Sequence, residues 1–188
     1  MARVRWWGTG LVALALLVLA AGLPLLDKAL GSGAKPLAPG TVLSVGAKRD
    51  GVRPVTFTVP SAGWVLDQAD SSLTSNVELA NSGVGLYVRV VVPLAPLDAR
   101  ELWNGLGRIV AAGGHSRLRA EPVPVTTAHG LTGLTGRLAG RERAGMATVF
   151  AKDTLGATVT ASGPPGAYRR LAADVDAIVR TVRISAPS

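Results

Sequence analysis

The sequence predicts an α+β protein: an antiparallel β-sheet packed with two helices, preceded by one N-terminal transmembrane helix. Three observations carry that reading. An uncharged apolar run fills residues 8–26; short β-prone runs bounded by Gly, Pro, Asn and Ser recur from Val55 onward; and two stretches with helical periodicity interrupt and end that series.

Residues 1–7 hold Arg3, Arg5, Trp6 and Trp7, and 14 of the 19 residues in 8–26 are hydrophobic with no charge among them. As a helix this length suits a hydrocarbon layer about 30 Å thick. The arginines then form a cytoplasmic anchor and the tryptophans sit at the interface. The expectation is a single-pass signal anchor in the cell membrane, with residues 1–7 inside and the remainder outside the cytoplasm. A cleaved secretory signal is the rival. Its apolar region runs about 7–15 residues and ends at a small-x-small site, for which Gly31-Ser32-Gly33-Ala34 is the available patch. Both readings put the rest of the chain outside the cytoplasm. Residues 27–53 scatter Gly, Ser, Pro and Lys and read as a flexible tether, with a short strand at 41–47. The extracytoplasmic domain then runs over 54–185.

Within the domain, Val55, Phe57 and Val59 alternate with Thr56 and Thr58 as in a half-buried strand, which Pro60 ends. The turn Ser61-Ala62-Gly63 delivers Trp64 to the core. Residues 67–76 are polar and read as a loop, and 76–80 form a second strand. Asn81-Ser82-Gly83 turns the chain into the β-prone run 85–92. Asp98 opens a helix with Glu101 in capping-box register. Leu102, Leu106, Ile109 and Val110 share its apolar face, Trp103 lies beside them, and Gly113-Gly114 stops it. Gly105 and Gly107 each cost that helix about 1 kcal/mol relative to Ala, so packing must hold it. Four strand-like runs follow, at 118–127, 130–140, 144–151 and 155–161. Pro164 and Pro165 open a second helix, with Tyr168, Leu171, Ala172, Val175, Ile178 and Val179 as its stripe. A brief strand at 181–184 closes the sheet.

The combination Phe57-Thr58-Val59-Pro60-x-x-Gly63-Trp64, a mid-chain helix containing Trp103, a four-strand meander and a final helix resembles the Mog1/PsbP-like family over residues 50–185. It is similar in particular to that family's small exported or membrane-anchored actinobacterial members. The resemblance implies an α/β/α sandwich. Because the family includes a partner-binding protein of nuclear transport and an accessory subunit of the photosynthetic oxygen-evolving complex, it also implies a non-enzymatic binding or accessory module. It brings no catalytic motif and no cofactor to carry over.

The residues themselves exclude several chemistries. Without Cys there is no disulfide scaffold, no thiol catalysis, no Cys-ligated zinc or iron–sulfur cluster and no lipid-modified cysteine. His115 and His129 both read as turn residues, and two histidines without a spaced third ligand make no metal motif. No Gly-x-Ser-x-Gly elbow occurs. Asp67 and Asp70 fall in the polar loop, while Asp174 and Asp176 lie two apart on a helix and do not face one another. Gly105-x-Gly107 lies inside a helix, which is no place for a dinucleotide loop. Gly130, Gly133 and Gly136 recur at every third position and mark a bulge or a close backbone approach.

The remaining signal is basic. The chain beyond residue 26 carries net charge +6. Arg117 and Arg119 share strand parity, as do Arg137, Arg141 and Arg143, so neighbouring strands would show one basic stripe to an anionic lipid surface, an acidic wall polymer or an acidic envelope protein. An ordinary solvated arginine face is the competing account, since the chain uses 16 Arg to 4 Lys. Nucleic acid is not an expected partner, because the few aromatics do not interleave with the basic residues. The expected function is a membrane-tethered extracytoplasmic binding or accessory module of the cell envelope, without catalysis, metal or cofactor. The alternative is an envelope enzyme or small-ligand or lipid carrier using a cleft near His129.

Overall fold

The computed structural model describes residues 33–48, 50–93, 98–114 and 116–185. The expected span at 8–26, the residues before it, the first part of the 27–53 segment and His115 lie outside the described residues. Among the described residues no helix is long and apolar enough to cross a membrane.

The elements are β1 (Ala34–Pro36), β2 (Thr41–Val45), β3 (Val55–Val59), β4 (Val65–Ser72), β5 (Asn76–Asn81), β6 (Val84–Val91), α1 (Ala99–Ala112), β7 (Ser116–Thr126), β8 (Thr132–Gly140), β9 (Ala144–Lys152), β10 (Leu155–Gly163), α2 (Pro165–Arg180) and β11 (Arg183–Ile184). Eight strands form one sheet in the order β1-β4-β5-β6-β10-β9-β8-β7, and β11-β3-β2 form a second. From β4 to β7 the pairings are antiparallel. The α+β class therefore holds, with a mostly antiparallel sheet and two helices.

Side-chain alternation decides which helix lies on which face. On β9, Ala147 and Val149 pack with Leu102 and Trp103 of α1. Phe150, one residue on, packs instead in the main core with Val88, Val159, Ile178 and Val179. Successive residues of a strand point to opposite faces, so α1 covers one face while α2 and the small sheet cover the other. The main core is the larger. Phe57, Trp64 and Phe150 are all fully buried in it, and each removes roughly 150–250 Å² from water, worth about 4–6 kcal/mol at about 25 cal/mol per Å². Trp64 enters this core through the turn at Gly63, whose φ of +89° suits a residue without Cβ.

Helix α1 starts as its capping box requires. Asp98 Oδ1 accepts from Glu101 N at 2.7 Å and Glu101 Oε2 accepts from Asp98 N at 3.3 Å. Its hold on the sheet is concentrated at Leu102 and Trp103, and Ile109, expected on the apolar face, is 70% exposed. The Trp103 ring depends on the glycine series of β8. A Cβ on Gly136 would stand 2.7 Å from Trp103 Cη2, so the missing side chain is the space the indole occupies. Opposite Gly136, strand β7 bulges between Arg119 and Val123.

Four expectations need correction. The domain begins before residue 54, because β1 and β2 lie within the segment read as a tether and Leu37 and Val45 are buried. The loop after β2 is pinned as well, since Arg53 Nη1 donates to Gly46 O and Leu73 O, both at 2.7 Å. The polar stretch 67–76 is mostly strand β4, paired to β5 through a bulge; of its eight residues only Leu66 is buried, so it carries no alternating pattern. Finally, the terminal strand does not close the main sheet. β11 pairs with β3 in the small one, and Thr181 prolongs that ladder, its Oγ1 accepting from Thr58 N at 2.8 Å.

Two glycine substitutions test this packing with opposite signs. Gly136→Ala is expected to destabilise the fold by about 1–3 kcal/mol, because the added methyl must displace the Trp103 ring. Gly105 has nothing within 4 Å of its would-be Cβ, so Gly105→Ala is expected to stabilise by up to about 1 kcal/mol. Urea denaturation of the two variants against the parent chain measures both.

Candidate functional site

The five arginines of the expected stripe do not share one face. Arg137 stands opposite Met146 on β9 and opposite Arg119 on β7, and Arg117 stands opposite Ala139. Met146 packs with Tyr168 and Leu171 against the main core, so exposed Arg137 and Arg117 lie on the α2 face. Arg143 lies on the other. Its Nη2 donates to Ser162 O at 3.0 Å and to Ser162 Oγ at 3.1 Å, and its charge is felt at Tyr87, which borders a hollow with Ile109 and Val110 of α1. Residues 141–143 form the turn between β8 and β9, and strand parity does not carry through a turn. Exposed Arg141 sits in that turn beside Glu142.

His129 is exposed in a tight turn. Thr127 Oγ1 accepts from His129 N at 3.3 Å and from Leu131 N at 3.2 Å, and Ala128 N donates to Arg180 O at 2.8 Å. The turn is tied to itself and to the end of α2. Of the nearby glycines, Gly130 meets the turn's φ of +75° with open space around it, while Gly133 serves packing: a Cβ there would collide with Val149 O and the Phe150 ring.

A groove opens elsewhere. Helix α2 packs chiefly over β9, β10, β6 and β3. That leaves the same face of β8 and β7 beside it partly uncovered, and the residues facing the gap, Ala139, Ala144 and Ala172, are too small to fill it. The result is a groove of about 660 Å³ between Tyr168, Arg169 and Ala172 on the helix and Val123, Thr135, Arg137 and Met146 on the strands. Its walls are mostly apolar, and Val123 at its margin is 57% exposed. Thr135 Oγ1 is already satisfied by Thr148 Oγ1 at 2.8 Å and Ala147 O at 3.2 Å. Arg137 and Arg169 are exposed and, among the described residues, have no carboxylate within 4.0 Å.

Among the described residues the lining contains no carboxylate, imidazole, serine or lysine, and so no nucleophile with a base beside it. It offers apolar walls, two guanidinium groups and one phenol, which suit holding a ligand. Of the described residues singled out from sequence as site candidates, Arg137 borders this groove. Tyr168 was legible only as part of an apolar stripe. The run Tyr168-Arg169 at that stripe's edge, followed by the small Ala172, was the available hint.

On the α1 face, Tyr87 lies opposite Glu78 across the β5–β6 ladder. The hydrogen bond to the Glu78 side chain, with burial and the Glu78 charge adding to it, pushes the phenol up to about 12. Burial also pushes Tyr168 up, helped by Asp176 and opposed by Arg137.

The fold is similar to that of the solution structure of cyanobacterial PsbP (CyanoP) from Synechocystis sp. PCC 6803, with a TM-score of 0.54 and 14% identity over 79% of this chain and 95% of that one. A crystal structure of a protein from Bacteroides thetaiotaomicron matches with a TM-score of 0.42 and 10% identity, over 82% of this chain and 49% of that one, too distant to add to the comparison. No protein-family model and no curated protein sequence matches the chain. The domain thus has a PsbP-like fold, and at this identity the likeness extends to the fold alone.

The chain has two tyrosines, and both phenols are raised above their ordinary 10.0. A raised phenol pKa means that the unfolded chain loses its protons first. The stability contributed by the protonated phenols is therefore complete below pH 10 and is lost as pH climbs from 10 towards 12. Near-ultraviolet titration is expected to show tyrosinate forming late in the folded chain, with Tyr87→Phe removing the latest transition and flattening the alkaline fall in stability.

Proposed function

We propose that the chain is a membrane-tethered extracytoplasmic module of the cell envelope that binds a ligand or partner and performs no catalysis. The groove between α2 and β7–β9 carries this reading: it is concave, apolar and cationic, and among the described residues no catalytic pairing lines it. The tether and its orientation come from the uncharged run at 8–26 behind Arg3 and Arg5. A PsbP-like fold is compatible with a non-catalytic accessory role.

Photo-crosslinking in intact cells tests the binding half. A crosslinking side chain placed at Val123, on the exposed margin of the groove, is expected to capture one defined adduct, while one at His129 captures none. Absence of an adduct from Val123, or equal capture at both positions, overturns the assignment of the groove. Protease added to spheroplasts tests the placement. Digestion of the domain from outside is expected, and full protection of the domain defeats the proposed topology.

A further inference from the structure

The groove's size and chemistry narrow its occupant. About 660 Å³ falls within the roughly 300–1,000 Å³ of small-ligand sites. An extended peptide adding itself to β7 would need a continuous free edge, and Pro122, Pro124 and the bulge between Arg119 and Val123 deny it one. The concave space beside that edge is walled by Val123, Met146 and Ala172. Met, unbranched and adaptable, suits a flexible hydrocarbon better than a rigid ring. Arg137 and Arg169 border the same space, and among the described residues no carboxylate lines it to neutralise them; the Asp176 carboxylate, whose charge reaches Tyr168, is paired with Arg180 at 2.7 Å. A guanidinium binds carboxylate or phosphate through two parallel N–H bonds.

We infer that the groove receives a single-chain anionic amphiphile, its hydrocarbon against Met146, Val123 and Ala172 and its carboxylate or phosphate head on Arg137 and Arg169. This rests on the reading of the groove as the binding site and adds the chemistry of what fills it. The Tyr168 phenol stays protonated and supplies a third donor at the head end.

The test uses the full chain in zwitterionic lipid nanodiscs and a dodecanoate probe carrying a photoreactive group at its chain end. Adducts are expected on the segments containing Tyr168 to Ala172 and Met146, found by peptide mass spectrometry. Unlabelled dodecanoate or dodecyl phosphate is expected to compete, the stronger of the two identifying the head, with dodecanol roughly tenfold weaker because it lacks the charge. The double variant Arg137→Ala, Arg169→Ala is expected to cut labelling by roughly fivefold or more with its circular dichroism unchanged. The double Lys variant is expected to restore part of the labelling, and Ala172→Trp to block it by filling the groove. Adducts scattered over the surface, or dodecanol competing as well as dodecanoate, overturn the inference. If dodecanoate does not label the groove while the Val123 crosslinker still captures one defined adduct in cells, the amphiphile is wrong and the binding-module reading survives. If neither reacts, both fall.

Discussion

Everything in this domain is hung on two adjacent strands, β9 and β10, that are buried on both faces. Most strands of the sheet satisfy one apolar face and leave the other to solvent. These two place Ala147 and Val149 under α1, and Phe150, Ala157 and Val159 under α2 and the small sheet. Each helix alone is marginal in water; α1 even carries Gly105 and Gly107 in its middle. The double burial gives each a floor, and the sheet's alternation assigns them to opposite sides. The groove is a by-product of the same geometry. Helix α2 sits centred on β9 and β10, and its width does not reach the far strands.

What could be read from the sequence follows from how each element announces itself. β3, β6 and the meander from β7 to β10 show alternation or strong β composition, and α1 shows Asp98 and Glu101 in register. β4 did not announce itself because seven of its eight residues are not buried, so pairing with β5 and not burial makes it a strand. β2 was legible only as a short run inside an apparent tether, because its order comes from the ladder to β3 and from Arg53. The partners of β3 were hidden altogether, since alternation says that a strand has a buried face and nothing about which sheet it joins.

The site was less legible than the fold, and for a physical reason. A basic stripe drawn from parity assumes that counting by twos continues from β8 into the next residues. The 141–143 turn resets the count and sends Arg143 to the α1 side, where Ser162 holds it. The groove is a deficit of volume at Ala139, Ala144 and Ala172, and small residues in a chain rich in alanine and glycine signal nothing by themselves. Gly136 is the exception. Its place in a three-residue glycine series suggested a close approach, and the Trp103 ring makes one.

The two ends of the eight-stranded sheet have a bearing on how this chain behaves among its own copies. An open sheet is a template: unpaired amides along a bare edge invite a second sheet to continue it, and repetition of that step is how fibrils grow. Here one end is β1, three residues long and finishing in Pro36, and the other is β7, with Pro122, Pro124 and a bulge in its length. At β7 two prolines and a bulge interrupt the row of amides that a second sheet would extend, and at β1 Pro36 removes one donor; these two ends are blunted with imino acids and a kink, leaving the helices and the open groove untouched.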